Sequence, residues 1–440
     1  MSSKTKIQEY DLEYIWHPFT QMKEYAEESP LVIEDSEGIY LIDSEGNRYI
    51  DGVSSLWVNI HGHNSENINK AIKKQIDKIA HSTLLGVTNP SASILAKKLI
   101  DISPDGLRKV FYSGDGASAV EVGLKMAFQY WILKGKPEKK KFVCLKDGYH
   151  GDTLGAVSVG GIDLFHSTFE PLLFESFKVS SYDNTESFLN ELNLTLSENS
   201  NEIAALILEP YVQAAGGMKV ANDGYLKKVR EMCDEYNVLL ILDEVATGFG
   251  RTGKMFACEH DSVTPDILVL GKGLTGGYLP LSATITTQDI FDTFLGDYEE
   301  LKAFFHGHSY SGNPLSCAAA IANLEIFEND KTLIKLKDKI EIFENELKEF
   351  KGLKNVGDVR NKGLMAGIDL VKDKNKKIDF DIRDRIGKKV CDHVLNEGVL
   401  LRPLGNTIVL MPPISINESE IKKLARSTYK AIKEVTENNE

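Results

Sequence analysis

Five short runs of consecutive apolar residues constrain the fold of this 440-residue sequence more than any other feature: VFY (110–112), FVCL (142–145), AALIL (204–208), VLLIL (238–242) and DILVL (266–270). A strand with one wet face alternates apolar and polar side chains. Unbroken runs therefore predict strands covered on both faces, the pattern of a mostly parallel sheet flanked by helices in an α/β protein. The two flanks read differently. Residues 31–51 predict an antiparallel β-meander, in which short Val, Ile and Tyr stretches are parted by Ser-Glu-Gly turns. After about residue 320 the chain turns helical and rich in Lys and Glu, and GLMAGIDLV and NTIVLMPP read as two more strands with a helix between. The expected layout is an N-terminal segment (1–65) contributing to a small α+β domain, a large domain (66–325), and a C-terminal stretch (326–440) completing the small one.

Composition removes several classes of function. Lys and Arg total 51 against 65 Asp and Glu, and the resulting net charge of −14 repels a phosphate backbone, so no nucleic-acid partner is expected. The five cysteines stand singly with no C-x-x-C pair, which suggests neither a zinc knuckle nor a disulfide framework and fits a reducing, cytoplasmic setting. His61 with His63, and His306 with His308, lie two apart with no third ligand in view, so no metal site is expected. No stretch approaches the ~20 apolar residues of a membrane helix, and the first thirty residues lack a signal-peptide core.

In open parallel sheets ligands bind beyond the carboxyl ends of the strands, so the residues that follow each apolar run carry the functional information. AALIL ends in Glu209, VLLIL in Asp243-Glu244, and DILVL in Gly271-Lys272. Taken alone, acids and a lysine at one sheet edge fit a structural ion pair as well as a site. VFYSGDGASAVEVGLKMAFQYW is a strand, a Gly-rich turn and a helix with apolar positions Val120, Leu124, Phe128 and Trp131. Such a turn offers free N–H groups to a phosphate, although its spacing is neither that of a dinucleotide fingerprint nor of a Walker loop. KDGYHGDT delivers Tyr149, His150 and Asp152 to the same edge, where Tyr149 can cover a flat ring or pack on the core. Together, a Schiff-base-forming amine, a carboxylate for a pyridine nitrogen, an aromatic cover and a helix N-terminus are what pyridoxal 5′-phosphate requires.

The motifs IWHPFTQMKEY, DGVSSLWVNIHGH, GYHGDTLGAVSVGG, EPYVQAAGGM, DEVATGFGRTGKMFACEH, LGKGLTGGYLPLSAT, HGHSYSGNPL and LRPLGNTIVLMPP occur in order from end to end. In these the sequence resembles the class III (ω-type) aminotransferases of pyridoxal-phosphate fold type I, and among them the branch that aminates 8-amino-7-oxononanoate in biotin synthesis. The resemblance implies roles for particular residues. Lys272 matches the Schiff-base lysine, Asp243 the partner of the pyridine nitrogen, and Tyr149 the tyrosine over the ring. Gly116 and Ala117 match the phosphate turn, with Asp115 expected to turn away from the phosphate. Ser309, next to His308, matches a hydroxyl reaching the partner subunit's phosphate, so a homodimer with shared active sites is expected. Glu209 and His308 are also counted among the cofactor-binding candidates. Arg402 matches the arginine that pairs with the substrate carboxylate, Trp57 and Gly307 help to wall the channel, and Arg251 and Asp152 support the ring and donor. Relatives using S-adenosylmethionine as amino donor carry Tyr at the Phe19 position and a second Trp at the Leu56 position, while a branch with Phe takes lysine. Both donors stay open here. An ω-aminotransferase for ornithine, 4-aminobutyrate or a diamine would share Lys272, Asp243 and the phosphate turn, but would not need WHPFTQ.

Overall fold

The computed structural model describes residues 5–28 and 30–437. Its centre is a seven-stranded sheet in the order Leu107–Ser113, Ser282–Thr287, Ile267–Leu270, Leu239–Asp243, Ile203–Leu208, Lys141–Leu145, Ser176–Val179. All five apolar runs are strands of this sheet. Every residue of Ile203–Leu208, Leu239–Asp243 and Ile267–Leu270 is buried. The pairing is parallel except at Ser282–Thr287, which runs antiparallel to both of its neighbours. The apolar-run criterion misses that strand because its sequence is SATITT. Its buried hydroxyls are satisfied by the helix that follows the Gly-rich turn: Ser282 Oγ donates to the Asp115 carbonyl at 2.6 Å and Thr284 Oγ1 to that of Ala119 at 2.8 Å. The edge strand Ser176–Val179 is missed as well, being short and half-exposed.

The helix Gly116–Leu133 packs on the sheet through Val120, Leu124 and Trp131. Phe128, expected on the same face, is 37% exposed, while Ala127, Tyr130 and Trp131 around it stay buried against the sheet. The N-terminal meander forms as Ile33–Glu37, Tyr40–Asp43 and Arg48–Asp51, and a short strand near the other end of the chain, Val399–Leu400, joins it in parallel beside Ile50 and Asp51. GLMAGIDLV and NTIVLMPP become Met365–Asp373 and Thr407–Leu410, paired antiparallel, with Val356–Lys362 added on the outer side. The helix Pro314–Asn329 runs unbroken across the boundary expected at residue 325, because Ala319, Ala322 and Ile326 close a buried cluster with Ile68 of the helix Glu66–Ile76. Among the described residues no helix is long and apolar enough to cross a membrane.

Candidate active site

The parallel topology brings the ends of the apolar runs to one edge of the sheet, where a cavity of about 750 Å³ opens. Gly116, Ala117, Tyr149, Glu209, Asp243, Lys272 and Trp57 all line it. Asp243 ends its strand with both carboxylate oxygens engaged: Oδ1 accepts from the Val245 N–H at 3.0 Å and Oδ2 lies 2.7 Å from His150 Nδ1. Asp243 and His150 are both almost completely buried, so the bond is shielded from water and fixes the carboxylate's direction. The sequence placed His150 at this edge but gave it no partner. Its position one residue after Tyr149 on a strand-end loop was the only signal.

Lys272 starts a tight 3₁₀ turn with φ of +40°. A non-glycine residue in this left-handed region is strained, and such strain collects at functional sites. Burial holds the Lys272 ammonium below its ordinary range, against the opposing pull of Asp243 and Glu209. Its Nζ lies 4.9 Å from the centre of the Trp57 ring. Glu209 is buried and accepts from the Tyr149 N–H at 3.1 Å through Oε1 and from the Ala214 N–H at 3.0 Å through Oε2. Burial pushes its carboxyl up to about 7, with Asp243 adding to the rise and His150 opposing it. Glu244, next in sequence to Asp243, faces away and binds Thr247 and the N–H groups of Ala257 and Cys258. Its role is structural.

The Gly-rich turn presents Gly114, Gly116 and Ala117 to the cavity at the start of an 18-residue helix. Asp115 caps that helix, accepting from the Ser118 N–H at 2.9 Å, so its carboxylate is engaged with its own chain. Two glycines are required by close approach: a Cβ on Gly116 would lie 2.7 Å from Val245, and one on Gly151 would run into Ala117. Thr153 Oγ1, also on the cavity, is buried with no partner among the described residues. An unpartnered hydroxyl beside open helix N–H groups, with a fixed carboxylate and an amine opposite, fits a phosphorylated pyridine aldehyde. Tyr149 Oη donates to Asp152 Oδ2 at 2.7 Å, and that bond together with burial raises the phenol's pKa.

Several expected residues lie elsewhere in this chain. Phe19 is 55% exposed; its ring meets Phe165 at 5.3 Å, and Phe165 stands 6.5 Å from Tyr149, so Phe19 borders the approach to the cavity without lining it. Gly307, His308 and Ser309 are exposed and outside the cavity, on a loop in which His308 N–H donates to Ser311 Oγ. Arg402 is exposed and has no ion pair or hydrogen bond among the described residues. It follows Val399–Leu400, the strand paired with Ile50–Asp51, and so leaves the sheet beside the segment that carries Trp57. Arg251 does not line the cavity. It is 1% exposed and ties three segments together by donating to Ser54 Oγ (3.1 Å) and to the carbonyls of Pro412 (2.7 Å) and Asn59 (2.6 Å).

Known proteins match this chain over nearly its whole length. The aminotransferase class-III family matches residues 22–432. A protein of Geobacter sulfurreducens named adenosylmethionine-8-amino-7-oxononanoate aminotransferase is 51% identical over 98% of each chain. One of the same name from Aquifex aeolicus is also 51% identical, over 98% of this chain and 97% of its own. The solved structure of the Methanocaldococcus jannaschii protein with that name superposes with a TM-score of 0.96 at 51% identity, covering 97% of this chain and 98% of the other. A transaminase from the marine bacterium Virgibacillus gives 0.93 at 33% identity, covering 99% and 100%. The chain therefore belongs to the class III aminotransferases of fold type I, and is a transaminase whose cofactor is pyridoxal 5′-phosphate.

Proposed function

We propose that the chain transfers an amino group to the ketone of 8-amino-7-oxononanoate, giving 7,8-diaminononanoate, and that it works as a homodimer. The observation that carries the reading is half identity, from end to end, with proteins named for that substrate. The architecture alone does not discriminate, because transaminases only a third identical superpose nearly as well.

Bound pyridoxal phosphate supplies an aldehyde carbon that receives the amino group and a ring that takes up the electron pair of a broken C–H bond. The protein supplies the rest. Asp243, aimed by His150 and the Val245 N–H, keeps a proton on the ring nitrogen. Lys272 Nζ, biased by burial toward its neutral form, would take the proton from the amino-bearing carbon of the donor and deliver it to the former aldehyde carbon within the same half-reaction, and would carry a proton the opposite way, to the acceptor carbon, in the second. Gly114, Gly116, Ala117 and Thr153 hold the phosphate, and Tyr149 and Trp57 enclose the reacting centre. Arg402, exposed and with no ion pair among the described residues, suits the far carboxylate of a long oxo-acid through a bidentate fork.

Support for the dimer comes from the family resemblance, and Trp16, Leu85, Phe305 and Tyr310, which expose 86, 89, 73 and 68% of their area, are apolar side chains a second subunit can cover. Ser309 lies on this exposed loop, where it can reach a partner's phosphate. For the donor, the relatives' names favour S-adenosylmethionine, while Phe19 and Leu56 in place of Tyr and Trp favour lysine.

The test mixes the yellow holoenzyme separately with S-adenosylmethionine, L-lysine, L-ornithine and 4-aminobutyrate, following loss of the visible cofactor band. 8-Amino-7-oxononanoate is then added and its return followed. Bleaching by one of the first two donors and recovery with the oxo-acid supports the reading. Bleaching by ornithine or 4-aminobutyrate alone, with no recovery, replaces it with another ω-aminotransferase.

A further inference from the structure

Residues Ser54, Ser55, Leu56 and Trp57 carry φ values of +51°, +48°, +74° and +69°. None is glycine, and together they form one turn of left-handed helix, closed by Trp57 N–H to the Val53 carbonyl at 2.8 Å and Val58 N–H to that of Ser54 at 3.0 Å. Four consecutive L-residues in this region are costly, so the surroundings must impose the conformation. Trp57 is the product of that turn: 8% exposed, it lines the cavity with its ring against Lys272 Nζ.

Asp51 provides the largest share of the clamp. It ends the strand Arg48–Asp51 and is fully buried. Its Oδ1 accepts from the Ser55 N–H at 2.9 Å, and its Oδ2 accepts from Ser55 Oγ at 2.7 Å and meets His63 Nε2 at 2.9 Å. His63 is held in turn by Asn59 Nδ2 at 3.1 Å on its other nitrogen. The start of the turn is fixed separately, as Ser54 Oγ donates to the Met411 carbonyl at 2.6 Å and accepts from Arg251. One carboxylate thus grips both the backbone and the side chain of the second residue in a strained turn whose fourth residue faces the reacting lysine.

We propose that Asp51 is a positioning residue for the substrate cavity, holding the left-handed turn Ser54–Trp57 so that the Trp57 ring stands as a fixed wall against Lys272. It touches neither substrate nor cofactor and acts through Ser55 and the turn. The inference rests on Trp57 lining the substrate space and needs no particular substrate.

The test compares wild type, Asp51→Ala and Ser55→Ala holoenzymes, each with and without Trp57→Phe. Ser55 is exposed, so its variant keeps the fold if Asp51→Ala does not. Subtracting the Trp57→Phe counterpart from each emission spectrum isolates Trp57. Loss of the clamp should red-shift that difference spectrum and increase its quenching by acrylamide, while the visible cofactor band stays in place. With 8-amino-7-oxononanoate, KM should rise about tenfold with kcat changed less than threefold, and the same substitution should add less than twofold to KM once Trp57 is Phe. An unmoved Trp57 spectrum in both clamp variants, or an equal KM penalty with and without Trp57, overturns the proposal. If wild type does not use 8-amino-7-oxononanoate, the substrate reading fails while the emission comparison still decides this one.

Discussion

Glu209 offers a test in which the sign as well as the size follows from the structure. Its carboxyl rises from an ordinary 4.5 to about 7 because it is buried, so the folded chain keeps a proton there that the unfolded chain has released. Between those two values the folded state binds more protons, and the stability this group contributes falls as pH rises, by about 1.4 kcal/mol per unit, levelling off above about pH 7. From pH 5 to pH 8 the loss is about 2.7 kcal/mol. Glu209→Gln removes the titration. The amide still accepts one of the two backbone N–H groups, from Tyr149 or Ala214, and leaves the other facing an NH₂, which costs about 1–3 kcal/mol at every pH. The variant should therefore be less stable than wild type at pH 5 and equal or better at pH 8. Urea unfolding of the cofactor-free proteins at both values checks this. A difference between variant and wild type that stays the same within about 0.5 kcal/mol across the range would refute the argument that burial, rather than the two hydrogen bonds, governs this carboxyl.

Lys272→Ala should abolish transamination while leaving far-UV circular dichroism unchanged, and substantial residual turnover would remove Lys272 from the proton path. His150→Leu deprives the buried Asp243 carboxylate of one partner worth about 1.5–3 kcal/mol, so cofactor binding to the apoenzyme should weaken roughly 10- to 150-fold in a fluorescence titration. Arg402→Ala should slow the oxo-acid half-reaction far more than the donor half-reaction in stopped-flow absorbance, and equal damage to both would give Arg402 another task. Leu56→Gly should change stability by less than about 1 kcal/mol, since relief of a left-handed leucine offsets the loss of a side chain already 49% exposed; Leu56→Val should destabilise, as a β-branched residue tolerates that backbone least.

The parts of this molecule legible in the sequence are those where side-chain type and burial agree. The run VLLIL announces a central strand because nothing polar interrupts it, and the strand-end rule then points at Asp243, Glu209 and Lys272 without any coordinates. SATITT was illegible for the opposite reason. It is as buried as its neighbours, but its hydroxyls are satisfied by carbonyls of the Gly116 helix, a partnership that exists only once the sheet is assembled. Arg251, which the family resemblance makes a supporting residue, does not line the cavity, and three acceptors that no local pattern announces, Ser54 Oγ and the carbonyls of Pro412 and Asn59, claim its guanidinium. Ser309 is a different matter, since the phosphate it is expected to reach is the partner subunit's.

The two residues that face each other across the cavity, Lys272 and Trp57, are both non-glycine and both left-handed, at φ +40° and +69°. Local propensity opposes each, and they arrive from segments more than 200 residues apart, one from a sheet edge and one from the end of the N-terminal meander. Neither conformation is cheap, so each must be imposed by structure around it: the Gly271–Gly276 turn under Lys272, and Asp51 with Arg251 around Trp57. A looser loop of glycines would meet the same spatial demand at less cost, but it would let the amine and the ring drift by more than proton transfer tolerates. Strain at these positions therefore marks where the fold gives up stability for placement. It also explains why the residues that enforce it, Asp51 above all, sit one layer behind the chemistry.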